Sequence, residues 1–278
     1  MTYLILAILS SALVSVNMRL ATRKGEGNTF SLLAANYTAC AVAAFCYMGP
    51  SGMPAWSCLG NTLLLSFCMT VTYVAGFVLY QWTIRKSGVV LSAVFMKLGL
   101  LVPIMFAMLV FGERPSRFQL GGFLLALLAI LMMSNIGKAE RGKFRWELLL
   151  MMLVCGSGDA MGKVFAEWGL PQFREQFLLF AFFMAALLCA AIVLIRGERP
   201  TKTDLVFGLL IGVPNYFSSR FSLLALRELN AVFFYPVYSV ATLFVITLVG
   251  ITAFRERLQK RQWAAVGTII LAIALLSM

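Results

Sequence analysis

FGERPSRFQLGG (residues 111–122) returns later in the chain as FRERLQKRQWAA (residues 254–265), a shift of 143 positions. At that shift Ser87–Ser134 lies over Asn230–Ser277 without a gap. Glu113-Arg114 meets Glu256-Arg257, Gln119 meets Gln262, and Leu128-Ala129-Ile130 meets Leu271-Ala272-Ile273. The first spans correspond at a shift of 144, where Arg19 meets Lys163 and Gly25 meets Gly169. One unit repeated within a single apolar chain is the usual construction of a secondary transporter, with solute held between the halves near mid-bilayer.

The medium follows from composition. The chain is 61% apolar with only 12% charged residues, and its mean hydropathy is +0.90. A soluble domain cannot hide that much hydrocarbon. Ten apolar stretches can be marked, at residues 2–20, 29–48, 60–81, 88–111, 117–135, 147–166, 176–195, 205–225, 231–253 and 262–278. Each is near the ~20 residues that a helix needs to cross a bilayer. Backbone groups cannot go unbonded in lipid, so the stretches are read as helices. The alternation of an outer-membrane barrel is missing. Met1-Thr2-Tyr3 leads straight into apolar sequence with no basic region, so the first span is expected to be retained rather than cleaved. All five tryptophans (Trp56, Trp82, Trp146, Trp168, Trp263) fall at span ends, where amphipathic rings sit at headgroup level.

The hydrophilic connector 137–143 divides ten spans into five and five. An odd number of spans per copy sends the second copy into the membrane from the opposite side. The predicted fold is therefore an all-α integral membrane protein of ten transmembrane helices, built as two inverted five-helix repeats, 1–136 and 144–278. Of the 23 Lys and Arg residues, 16 lie in odd-numbered loops and at most five in even-numbered ones. This bias places the odd loops in the cytoplasm and both termini outside. It also explains the net charge of +12 as topology rather than nucleic-acid binding. The six cysteines have no metal-like spacing, and there is no histidine. No metal or cofactor is expected.

The two junctions carry a resemblance. Residues 111–122 resemble the junction between the fourth and fifth helices of EamA-type members of the drug/metabolite transporter superfamily. Residues 254–262 resemble the matching junction of the second half. The basic residues closing the first helix of each half, Arg19 and Lys163, are similar to that family's pattern too. The second junction departs from it, with Arg255 in place of Gly112 and Ala265 in place of Gly122, which questions close helix packing there. The resemblance implies a ten-helix carrier of a small organic solute and leaves the solute open.

Residues that obey the repeat are read as scaffold. Glu113 and Glu256 stand before helices beginning near Pro115 and Leu258, where a carboxylate is stabilised by unbonded N–H groups. A gate at each face is the functional alternative. Arg19 and Lys163 are long enough to snorkel to headgroups. The charges that break the repeat are more informative: Lys97 faces Val240, Arg220 faces Phe77 and Asp159 faces Ser15. Counted from the cytoplasmic end, Lys97 lies about 12–14 Å deep, Asp159 about 18 Å and Arg220 about 22–24 Å. A charge there costs on the order of 3 kcal/mol, so each needs a partner or a watery cavity. Asp159 can pair with Lys163 one turn on, with Lys97 or with Arg220. With no other deep carboxylate in the spans, at least one cation is left over, and an anionic or zwitterionic solute would offset it. Arg220 suits a carboxylate or phosphate through its planar fork.

Further candidate solute-binding residues are Asn215 and Tyr216 after Pro214, Tyr235 and Tyr238 around Pro236, Tyr73 and Asn36. Pro103, beyond Lys97, is expected to bend its span and free a carbonyl. A secondary transporter of the cell membrane, working by alternating access, is the leading reading. Its partners would be a small-molecule solute and the lipid bilayer, with a homodimer allowed. The alternative is a proton-coupled exporter of neutral or cationic compounds using Asp159. An intramembrane enzyme is remote, because lipid-phosphate chemistry uses several carboxylates or a metal cluster. A reporter that is active only in the cytoplasm, fused after Met278, should stay silent; a bright signal would reverse the orientation.

Overall fold

The computed structural model describes residues 1–23, 28–48, 60–87, 89–133, 146–253 and 260–276. The connector 137–143, the second junction with Glu256, and Trp56 and Cys58 lie outside these residues. Eleven α-helices are present among the described residues: α1 (Thr2–Arg23), α2 (Thr29–Met48), α3 (Gly60–Ser87), α4 (Val89–Leu98), α5 (Leu101–Val110), α6 (Arg117–Met133), α7 (Trp146–Trp168), α8 (Arg174–Arg196), α9 (Lys202–Glu228), α10 (Ala231–Thr252) and α11 (Lys260–Leu276). A short 3-10 turn at Pro171–Phe173 leads into α8. Among these residues there is no strand.

The protein is an all-α membrane protein. Seven described helical segments are long and apolar enough to cross a bilayer, the α4–α5 stretch counting as one from Ser92 to Val110. The helices at α6 and α11 are apolar but shorter. α9 is 27 residues long and yet too polar to qualify by composition, because it carries Asp204, Asn215, Arg220 and Arg227.

Two compact units divide the chain. Unit 1 comprises Met1–Val74 and Val164–Arg227; unit 2 comprises Ala75–Lys163 and Glu228–Met278. Each unit draws on both sequence repeats, so the compact division differs from the division at the connector. In unit 1 the most extensive packing joins α2 with α8, and in unit 2 it joins α6 with α11. Both pairs are helices related by the sequence shift.

Small residues set how closely the unit 1 helices approach. Gly208 and Gly212 of α9 lie against the backbone of α2: a Cβ on Gly212 would stand 2.5 Å from the Asn36 carbonyl and 2.5 Å from the Ala39 methyl. Beside this contact Leu32, Phe207 and Ile211 form a buried core on which Val14, Met18 and Ala21 of α1 pack. Ser66 and Thr70 of α3 donate to the α8 carbonyls of Phe177 (3.0 Å) and Ala181 (2.9 Å). This second seam sets hydroxyls four apart on one helix against carbonyls four apart on another, which keeps polar groups bonded inside the bilayer.

In unit 2, a Cβ on Gly122 of α6 would fall 2.9 Å from the Leu276 amide nitrogen and 3.0 Å from the Ala272 carbonyl of α11. Ala265, the repeat partner of Gly122, is fully buried, so a methyl is accommodated where the sequence questioned close packing.

The prolines behave differently from one another. Pro103 cannot donate to Gly99, whose carbonyl instead accepts the Val102 N–H at 3.0 Å in a tighter turn. The span breaks there, between Leu98 and Leu101. Pro214 sits inside α9 without breaking it. The carbonyl it frees, that of Leu210, accepts the Asn17 side-chain amide from α1 at 2.8 Å. Gly212→Ala should lower the unfolding temperature of the solubilised protein, with a cost of about 1–3 kcal/mol. Gly267→Ala, where a Cβ meets nothing within 4 Å, should leave it unchanged.

Candidate functional site

The ionisable groups that break the repeat, and the polar residues around them, fall into two centres, one in each unit.

In unit 1, Arg220 of α9 has an acid. Its Nε donates to Oε1 of Glu175 at 2.8 Å, with both side chains less than 15% exposed. The other carboxylate oxygen, Oε2, accepts the Tyr216 hydroxyl at 2.5 Å, and Tyr216 is fully buried. The guanidinium of Arg220 lies 4.0 Å from the centroid of the Tyr47 ring, a cation–π contact. One turn back along α9, the Asn215 amide donates to Asn36 of α2 at 3.3 Å. The thiol of Cys40 donates to the Gly212 carbonyl at 3.1 Å. Unit 1 therefore gathers Asn36, Asn215, Tyr216 and Arg220.

Glu175 corrects the expectation that a deep cation stays without an acidic partner. The apolar run of the seventh span begins at 176, which left Glu175 on the loop side in the sequence. The helix itself begins at Arg174, and its first turn carries Glu175 inward to Arg220. Neither Arg174, which donates to the same carboxylate oxygen at 3.3 Å, nor Tyr47 was singled out. The only sequence signal was an acidic residue in the first turn of an apolar helix.

In unit 2, Lys97 ends α4 just before the break, and Asp159 stands on α7. The Gly99 carbonyl packs directly on Gly156 of α7, leaving no room for a Cβ there. This brings the broken stretch against the turn of α7 that precedes Asp159. Lys97 and Asp159 attract one another electrostatically, yet among the described residues neither side chain closes an ion pair or hydrogen bond. Asp159 is exposed, and its backbone carbonyl accepts the Tyr235 hydroxyl of α10 at 2.7 Å. Of the three pairings open to Asp159, its charge partner is Lys97.

Two further predicted residues stand one in each unit. Tyr73 lies on α3 in unit 1. Tyr238 lies on α10 in unit 2, stacked on Phe234 with centroids 5.4 Å apart.

Lys163 and Glu113 also depart from expectation. Lys163 neither snorkels nor pairs with Asp159: it is 3% exposed, 2.7 Å from Glu113, and its ammonium faces the Phe111 ring at 5.7 Å. Glu113 serves the start of α10 instead of the helix that follows it, accepting the N–H groups of Ala231 (3.0 Å) and Val232 (3.1 Å). α6 has its own cap, a reciprocal pair in which Ser116 and Gln119 each accept the other's backbone N–H. Gly112, in the left-handed region at φ 68°, turns the chain so that Glu113 can reach across. Glu113→Gln should therefore leave a buried ammonium without its counter-charge and cost on the order of 3 kcal/mol in stability. Adding Lys163→Met should recover part of that loss, read as a non-additive double-mutant cycle in thermal or denaturant unfolding.

Among the described residues no group of three or more Cys, Asp or Glu could hold a metal ion, and the five described cysteines are free thiols.

Comparison with known proteins agrees with this architecture. A protein of Haemophilus influenzae, described as uncharacterized, is 24% identical over 277 residues, covering 95% of this chain and 93% of its own length. A crystal structure described only as that of a protein matches with a TM-score of 0.75 at 14% identity, covering 99% of this chain and 94% of that one. Identity this low speaks to the fold alone. Residues 1–135 match the EamA-like transporter family, which is consistent with the drug/metabolite transporter superfamily, and with its apolar helices the chain is a transmembrane protein similar to that family.

Proposed function

We propose that the protein is a secondary transporter of the cell membrane that moves a small zwitterionic or anionic organic solute by alternating access of two inverted five-helix repeats. The pairing of shift-related helices, α2 with α8 and α6 with α11, supports a molecule built about an internal two-fold relation. The observation that carries the reading is the open pair in unit 2. Lys163–Glu113 and Arg220–Glu175 are closed at 2.7 and 2.8 Å, whereas Lys97 and Asp159 attract without closing. They stand beside a helix broken at Gly99, and interrupted helices are where carriers expose backbone and charge to a solute. An ammonium and a carboxylate held apart suit a solute with both charges: its acid group faces Lys97 and its amine faces Asp159. The anionic expectation rested on a leftover cation; here it rests on Lys97 alone.

A second reading has its own support. Asp159 is exposed and its carboxylate accepts no hydrogen bond among the described residues. A carboxylate so placed is free to take up and release a proton, which would couple export of neutral or cationic compounds to the proton gradient.

Thermal unfolding of the purified protein should be screened against amino acids, organic acids, phosphates and nucleotides, since a ligand stabilises what it binds. Lys97→Ala should weaken binding of the stabilising solute on the order of 100-fold, with the unliganded protein still folded. If Asp159 contacts the solute, Asp159→Asn should weaken zwitterions at every pH. If instead it carries the proton, binding should persist in that variant while pH-driven uptake into vesicles is lost. Unchanged binding in Lys97→Ala would refute the charge assignment.

A further inference from the structure

The unit 1 centre holds more cation than its acid can balance. Glu175 Oε1 is shared by two guanidinium groups, Arg220 at 2.8 Å and Arg174 at 3.3 Å. Its Oε2 is taken by the buried Tyr216 hydroxyl, so the carboxylate is held from both sides and cannot turn to serve a third cation. A third cation is present. Arg227, two turns beyond Arg220 on α9, donates to the Gly169 carbonyl at 3.1 Å and is close enough to Arg174 for the two charges to repel. Two arginines therefore share one carboxylate, and a third stands near one of them. Arg220 and Arg174 each spend only Nε on it, and among the described residues their terminal nitrogens make no hydrogen bond. Their side chains are 14% and 19% exposed, enough to be reached from outside. A purely structural fastener would match its charges, because every surplus cation at a membrane protein's partly buried site raises the cost of folding.

We infer that this end of unit 1 is a binding site for an anionic group, a carboxylate or a phosphate, taken by the planar forks of Arg220 and Arg174 with Arg227 beside them. Glu175 and Tyr216 are positioning residues: they fix Arg220 by its Nε, and among the described residues its two terminal nitrogens make no hydrogen bond, which leaves them for parallel hydrogen bonds to an oxyanion. Tyr47 covers one guanidinium face and limits entry to the other. The site is independent of Lys97 and Asp159, which belong to unit 2.

The test is a titration of the full-length protein with inorganic phosphate, read as unfolding temperature against chloride at equal ionic strength. A saturable rise is expected. Arg174→Ala and Arg227→Ala, which both leave the Arg220–Glu175 pair in place, should each shift the midpoint about tenfold. Arg174→Lys should fall between, since it keeps charge and loses the fork. Repeating the titration in vesicles of phosphatidylcholine, with and without phosphatidylglycerol, separates the sources. If the anion is a lipid headgroup, phosphatidylglycerol should abolish the phosphate response; if it is a soluble acid, the response should persist in both. Lys97→Ala should not alter it, so loss of solute binding and loss of this site can be told apart. Absence of a saturable rise, or a rise untouched by both alanine variants, overturns the inference.

Discussion

A polar group inside a hydrocarbon slab must find its partner within the protein, and most of the irregular features of this fold answer to that requirement. Pro214 can sit in the middle of α9 because Asn17 bonds the carbonyl it frees. Pro103 has no such neighbour in the described contacts, so the chain satisfies Gly99 locally, through Val102, and the helix breaks. Ser66 and Thr70 return their hydroxyls to carbonyls of α8 rather than leaving them toward lipid. Glu113 spends one carboxylate on two N–H groups and an ammonium. Each is a small local solution, and together they decide where the chain bends and which helices touch.

The same requirement separates charges that hold the protein together from charges that remain for chemistry. Lys163 and Glu113 close on one another, and Glu113 also holds the start of α10. Arg220 is anchored by Glu175 but keeps two terminal nitrogens unspent. Lys97 and Asp159 attract one another without closing an ion pair among the described residues. A closed pair contributes position; an open one leaves both charges for a solute or a proton. Unit 1 and unit 2 each contain one centre of asymmetric charge.

The sequence repeat was a sound guide to scaffold and a poorer guide to partners. The break near Pro103 concerns residues close in the chain, and the packing of α2 on α8 and of α6 on α11 joins helices related by the shift. Glu175 was missed because its residue-level environment is ordinary: an acid immediately before an apolar run. Only the 3-10 turn at Pro171–Phe173 and the start of α8 at Arg174 bring it under Arg220. Lys163 looked like an interfacial lysine for a similar reason, since nothing in its own helix announces that Glu113, 50 residues earlier, lies against it.

From sequence alone came the helical class, the membrane as solvent, the repeat, and the residues whose charge the repeat does not explain. These depend on composition, period and local hydrogen bonding, which neighbouring residues settle among themselves. Tertiary structure decided which acid meets which base, which helix end each carboxylate caps, and that compact units combine pieces of both repeats. Those outcomes depend on contacts between residues 45 to 118 positions apart, such as Arg220 with Glu175 and Ala231 with Glu113. Many pairings of so few ionisable groups satisfy the sequence equally well, and only the packing of the helices selects one.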